Sequence, residues 1–418
     1  MAAHPRAGAW FRGWEVVAGC FVMAAVAWGL GFYGAGLYLA YLTGERGLPI
    51  GATSAAITAY FWFSAALIMS CGSWIDRVGP RLSVTVGTLA MAAAVIVIAW
   101  STRLWHFHAA MLAMSVGWTT MSSSAINAIL APWFDRRRGL ALSIALTGAS
   151  FGGIVVIPLL TAMIAAKGFR DGLTGAALVL AAVVLAVAWR CFVREPAAVG
   201  QHVDGDAGPR EQAAHGDGQA PWPLARVLRS PGFLSNTVPF SIGLTVQVGF
   251  LTHQLSMLQP LIGAQSAAWA VGLTTVCAVA GRLLAGALMD RLERRALAAL
   301  NFALQAGGLL LLAFATEPAI LYAGCVAAGL AVGNMITYPG LLIQREFPPS
   351  QFNRVNRLAV GITQFIYACG AYLMGAAREA AGDYRLPLLG CAALAAAAAL
   401  VVWFGRPVEH RPVGADSA

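Results

Sequence analysis

Arg282 is the only Lys or Arg that falls well inside an apolar stretch, in the run CAVAGRLLAGALMD. A guanidinium in hydrocarbon is costly unless paired, and a carboxylate satisfies it through two parallel hydrogen bonds. Counting at about 1.5 Å per residue puts it roughly 9 Å in from the nearer helix end, shallow enough to snorkel toward headgroups instead. His253, in FLTHQLSML, titrates near neutrality and could bind an anion or take up a proton. The bland alternative is a buried imidazole satisfied by its neighbours. By the same counting, the two residues lie in opposite halves of their helices. Uncharged groups that could line a polar path are Tyr33, Thr119, Ser122, Asn127, Asn334, Tyr338 and Gln364, though for each one taken singly packing or helix bonding is the ordinary reading. No Asp or Glu lies deep in an apolar run, whereas a cation carrier would want one; Glu15, Glu45, Glu317 and Glu379 stand at the ends.

Other chemistry finds little support. No nucleophile–base pair and no cluster of metal-ligand spacing occurs in or near the apolar runs, so neither an enzyme, a cofactor nor a metal is expected. His202 and His215 sit among aspartates in a polar stretch that reads as a solvated linker. The seven cysteines are odd in number, form no C-x-x-C pair and lie in or beside apolar stretches, where helix packing accounts for them.

The elements that must hold these residues follow from composition. Of 418 residues, 59% are hydrophobic and 11% charged, against roughly a quarter charged in a soluble domain. Apolar runs recur near 14–42, 53–74, 81–100, 105–131, 139–166, 172–193, 232–260, 266–288, 296–314, 318–343, 355–377 and 384–404. Each suits a membrane-crossing helix of about 20 residues. The fold class is therefore an all-α membrane protein of twelve transmembrane helices in two six-helix bundles, 1–193 and 231–418. A polar, Gly- and Pro-rich linker, 194–230, joins them and reads as flexible up to Ala220.

Of the 27 Lys and Arg residues, twenty fall at the termini or after even-numbered helices and six on the opposite side, leaving Arg282. Basic residues favour the cytosolic side, so both termini are expected in the cytosol, with the chain in a bacterial inner membrane. The net charge of +9 is spread through these short loops rather than gathered on one surface, which argues against nucleic-acid binding. The expected partners are the lipid bilayer, a small solute and protons, with the chain acting as a monomer.

The loop after helix 2 reads GSWIDRVGPR and that after helix 8 GALMDRLERR. Gly72 matches Gly286, Asp76 matches Asp290, Arg77 matches Arg291 and Arg81 matches Arg295, near a half-length offset. A duplicated six-helix unit explains this, and such repeats usually enclose a site near the bilayer midplane. The pattern resembles the G-x-x-x-D-R-x-x-x-R/K loop motif of the major facilitator superfamily, and the resemblance covers Trp14 to about Phe404. It implies that the eight loop residues are conformational latches rather than ligands.

The run WFDRRRGLALSIALTGASFGG, Trp133 to Gly153, resembles the helix 5 entry of the monocarboxylate and oxalate/formate branch. That branch carries a substrate-linked arginine in helix 8, eight residues before the helix-ending polar position, as Arg282 stands to Asp290. Where many members have an Asp one turn earlier, this chain has Ala278. His253 is similar to a helix 7 histidine of bacterial monocarboxylate carriers. Oxalate-type carriers use a helix 11 lysine for the second charge of a dianion, and this chain offers Gln364. One fixed cation implies a monoanion. The resemblance implies a secondary carrier of a small organic anion, a monocarboxylate, by alternating access and with proton coupling. An efflux carrier for a larger amphiphile and a non-transporting membrane sensor are the competing expectations.

Overall fold

A computed structural model describes residues 11–193, 195–206, 222–288 and 292–405. The described residues are helical throughout their regular structure, with no strand among them. In lipid every backbone N–H and C=O must be satisfied within the segment, and helices do this.

The chain forms α1 (Gly13–Gly44), α2 (Ile50–Val78), α3 (Pro80–Trp100) and α4 (Leu104–Met121, then Ser123–Leu130). A long run, Arg138–Cys191, turns at Gly168 and so supplies both α5 (138–167) and α6 (169–191). Gly168 has φ 79°, a left-handed value that a side chain would strain. Then follow α7 (Pro231–Ile262), α8 (Ala264–Leu288), α9 (Arg294–Phe314), α10 (Pro318–Val332, then Thr337–Glu346), α11 (Pro349–Tyr367, then Gly370–Ala381) and α12 (Arg385–Phe404). Among the described residues ten stretches are long and apolar enough to cross a membrane. Dividing the long run at Gly168 makes eleven. The twelfth is α4, whose first turns carry Trp105, His106 and His108 and dilute an otherwise apolar helix.

The chain falls into two compact units, one of Met1–Ala213 with Gln254–Gly272, the other of Ala214–His253 with Leu273–Ala418. The duplication read from the loops recurs in the packing. In the first unit α3 packs on α4 and α6; in the second, α9 packs on α10 and α12.

Several helices are interrupted in mid-span. In the first unit α1 widens to a π-helix over Trp28–Tyr33 and α5 over Gly152–Val156. These segments meet where a Cβ on Gly152 would stand 2.6 Å from the Gly29 nitrogen, so the two backbones touch. α4 breaks at Ser122, α10 at residues 333–336 and α11 at Ala368 and Cys369.

The linker departs from expectation. Residues 195–206 do not run free: they make two short 3-10 turns, Pro196–Val199 and Val203–Gly205. The buried Asp204 carboxylate accepts the backbone N–H groups of Asp135 (3.3 Å), Arg136 (2.9 Å) and Arg137 (3.4 Å) at the start of α5. Arg136 also pairs with Asp206. A carboxylate at a helix N-terminus satisfies donors that have no partner inside the helix. Composition alone reads this stretch as solvated because its order comes from a contact some 70 residues away. The rest of the linker up to Pro221, His215 included, lies outside the described residues.

Candidate functional site

Arg282 is held where two backbones touch. α8 brings Gly281 and α10 brings Gly333 so close that a Cβ on Gly281 would strike the Leu330 carbonyl, and one on Gly333 the Ala278 carbonyl. Arg282 Nε donates to the Gly333 carbonyl at 3.1 Å. The break in α10 makes that carbonyl available: the Thr337 N–H donates to Asn334 (3.0 Å) rather than one residue further back to Gly333. Asn334, buried, sends its amide nitrogen to the Gly281 carbonyl (3.3 Å), the Leu330 carbonyl (3.3 Å) and Asn301 Oδ1 (3.0 Å). Asn301 in turn donates to the Ala331 carbonyl at 3.1 Å. The Arg282 side chain is itself exposed, and Ala278, one turn earlier, is buried. A carboxylate taken end-on would meet the two terminal guanidinium nitrogens.

Tyr338 lies in the apolar core with Phe240, Leu244, Ala285, Phe302 and Met335. Gln364 is partly buried in the first segment of α11.

His253 is fully buried, and both ring nitrogens have protein partners. Nε2 lies 3.0 Å from the Ala371 carbonyl and Nδ1 2.9 Å from the Tyr384 hydroxyl. A carbonyl can only accept, so Nε2 carries the proton and Nδ1 accepts from tyrosine. The imidazole thus ties α7 to α11 and to the turn before α12, and Arg378 stacks 5.4 Å over the Tyr384 ring. Structure brings Arg282 and Asn334 together and places His253 in a separate cluster.

The first unit holds a feature absent from the sequence reading. Trp28, Phe32 and Tyr33 of the α1 π-segment meet Tyr60 and Phe61 of α2 and Trp118 of α4. Ring centroids are 4.7 Å apart for Trp28–Trp118, 6.3 Å for the stacked Phe32–Trp118 pair and 4.8 Å for Tyr60–Phe61. Tyr33 is edge-on to Phe32 at 5.3 Å. The available signal was three aromatics within six residues of α1, on a helix otherwise rich in Gly and Ala. Ser122 is buried at the α4 break with its hydroxyl donating to the Thr119 carbonyl at 3.1 Å, and Asn127 accepts from Arg138 at 3.0 Å.

In the repeated loops, Asp76 lines a cleft of about 130 Å³ with Ile75, Pro80, Ile129, Pro132 and Glu195. Arg77 is exposed, and a Cβ on Gly72 would meet open space. Gly79, at φ 91° between α2 and α3, is the glycine whose backbone demands that residue type. Arg81 Nε donates to the Phe192 carbonyl at 2.7 Å. In the second loop Gly286 lies in α8, while Asp290 and Arg291 lie outside the described residues. Arg295 is buried in a fork with Glu346. Among the described residues no group of His, Cys, Asp and Glu is arranged to hold a metal ion.

Two repeated sets of six membrane-length helices, several of them interrupted by breaks or π-turns, define a multi-pass membrane protein. The chain belongs to the major facilitator superfamily, whose model matches residues 19–265 and 233–417. The riboflavin transporter MCH5 of Saccharomyces cerevisiae is 26% identical over 178 residues, 41% of this chain and 33% of that protein. Monocarboxylate transporter 11 of Mus musculus is 31% identical over 186 residues, 44% of this chain and 39% of that protein. The matched stretch thus spans about a third to two fifths of these relatives. Among solved structures, a bacterial homolog to the human lysosomal transporter Spinster has a TM-score of 0.74 at 13% identity, covering 95% of this chain and 97% of its own. A D-xylose-proton symporter has a TM-score of 0.66 at 13% identity, over 94% and 96%. At such identity the likeness shows the fold alone.

Proposed function

We propose that this transporter carries a small organic monoanion, a monocarboxylate, by alternating access, with a proton as co-substrate. One observation carries the reading: a single arginine inside a span, about two turns from the end of α8, tethered through Nε to a helix break, with no lysine or second arginine inside another span. A membrane-embedded ionisable residue is costly and is usually retained for function. The absence of a lysine in α11, where Gln364 stands, supports one negative charge rather than two. The similarity to monocarboxylate transporter 11 supports the same class. His253, with both nitrogens committed to protein groups, acts in this reading as a clamp at the base of α12, so the coupled proton travels with the anion or on another group.

The test is counterflow of labelled acetate, pyruvate, lactate and benzoate in proteoliposomes. Arg282→Gln should weaken binding about ten- to a hundred-fold, the worth of roughly 1.5–3 kcal/mol for a lost charge-assisted bond. Arg282→Lys keeps the charge without the fork and should recover it only in part. Wild-type affinity in Arg282→Gln would end the monocarboxylate assignment; binding without flux would point to a sensor.

A second reading, a carrier of larger planar amphiphiles, is favoured by the aromatic cluster around Trp118. Relatives named as a riboflavin transporter and a fujikurins efflux protein fit it. It predicts transport that survives Arg282→Gln and fails in Trp118→Ala. The proposed setting is a bacterial inner membrane, with one chain as the transport unit and both termini in the cytosol. Reporters fused after Arg138, within the linker and at the C-terminus should then all report cytosol, and an external signal at any one would overturn that orientation.

A further inference from the structure

Resting on the reading of Arg282 as the carboxylate contact, we propose that Asn334, backed by Asn301, is a positioning residue. It fixes the Arg282 guanidinium at the α10 break and does not itself touch the substrate. The contacts form a crossed pair between neighbouring helices. Arg282 of α8 reaches the carbonyl of Gly333, and Asn334 reaches back to the carbonyl of Gly281. Each side chain thus binds the residue just before the other.

Hydrogen-bond capacity rules Asn334 out as a ligand for a carboxylate. An amide nitrogen has two N–H groups. Those of Asn334 already face three acceptors at 3.0–3.3 Å, namely Asn301 Oδ1 and the carbonyls of Gly281 and Leu330. Turning the amide over would set its oxygen against the same acceptors, so its orientation is fixed. The oxygen that remains can only accept, and a carboxylate offers nothing to donate.

The break itself serves the arginine. In an uninterrupted helix the Gly333 carbonyl would accept from Thr337, but here that N–H goes to Asn334. Asn301, donating to Ala331, holds the last turn before the break from α9. Removing the Asn334 side chain leaves the Gly281 carbonyl and Asn301 Oδ1 without this donor, and the kink that presents Gly333 loses one of its ties to α8 and one to α9. Arg282 then keeps its charge and loses its aim.

The experiment is a four-way comparison of wild type, Asn334→Ala, Arg282→Gln and the double variant, purified in detergent. Three quantities are read: affinity for acetate, pyruvate, lactate and benzoate, melting temperature, and the phenylglyoxal labelling rate of the Arg282 peptide by mass spectrometry. Asn334→Ala should weaken the best-bound carboxylate about ten-fold when Arg282 is present and less than about two-fold when it is Gln, since coupled residues are non-additive. The melting temperature should fall equally in both backgrounds, which a purely structural role would also do, so the affinity split decides. An equal loss of affinity in both backgrounds would overturn the inference, as would no loss in either while Arg282→Gln alone is impaired. If no carboxylate binds wild type, or Arg282→Gln binds normally, the transport reading falls. Positioning is then judged on labelling alone: a several-fold faster reaction of Arg282 in Asn334→Ala supports it, and an unchanged rate overturns it. Should Asn334→Ala not fold, Asn301→Ala replaces it, with the same two outcomes at smaller size.

Discussion

Arg81 and Arg295 close the two copies of the repeated loop, and the two halves secure them differently. Both reach the end of the last helix of their own half: Arg81 donates to the Phe192 carbonyl and Arg295 to that of Val402. There the likeness stops. Arg295 is buried, forks onto Glu346 at 2.7 and 2.8 Å and also donates to Ser235. Arg81 is partly buried, and the carboxylate nearest the matching place, Asp135, is exposed and makes no ion pair among the described residues. The first half gains its closure instead from the linker, through Asp204 on the start of α5. One repeat is fastened by an internal ion pair, the other by a strap from outside the bundle. A duplicated motif therefore preserves which helix ends meet while leaving each copy to find its own fastening.

Breaking the buried fork should have the largest effect. Arg295→Gln or Glu346→Gln leaves a charge buried without its partner and should cost about 3–5 kcal/mol, read as a large fall in melting temperature. The matching change Arg81→Gln removes one bond to a backbone carbonyl and should cost about 1.5–3 kcal/mol at most. Equal falls for Arg81→Gln and Arg295→Gln would erase the contrast between the halves. Asp204→Ala should come next, at about 0.5–2 kcal/mol, the range for a lost helix cap, together with faster proteolysis between residues 195 and 206. A cut rate like wild type would show that the strap is held by something other than this carboxylate. Asp76→Asn should change stability least. It should slow flux while leaving carboxylate affinity within a few-fold, because a latch shifts the balance of states rather than binding within one. A large loss of affinity would make Asp76 a ligand.

The sequence made the helices legible because hydropathy is local: runs such as 81–100 and 318–343 are covered by Pro80–Trp100 and by the two segments of Pro318–Glu346. The repeat was equally readable, since Gly, Asp and Arg return at fixed spacing. What escaped depends on contacts far apart in the chain. Glu346 is an ordinary helix-end acid until α9 brings Arg295 to it. Asn301 stands in the apolar run LAALNFALQAGG, a signal in plain view, yet only the fold reveals that it faces the α10 break. Arg282 could be picked out as an isolated charge; its tether to Gly333 could not, because glycines are common throughout these membrane helices and Gly333 alone does not mark a break. The order of residues 195–206 is likewise hidden in the sequence, since it rests on the contact of Asp204 with the start of α5.

The strap also has an order in time. A ribosome releases this chain from its N-terminus, and domains tend to fold as they emerge. Asp204 is made after α6 and 27 residues before α7 begins at Pro231. Its carboxylate can therefore seal the start of α5 while the second six helices have yet to be synthesised, giving the newborn first half a fastening that requires nothing from its twin.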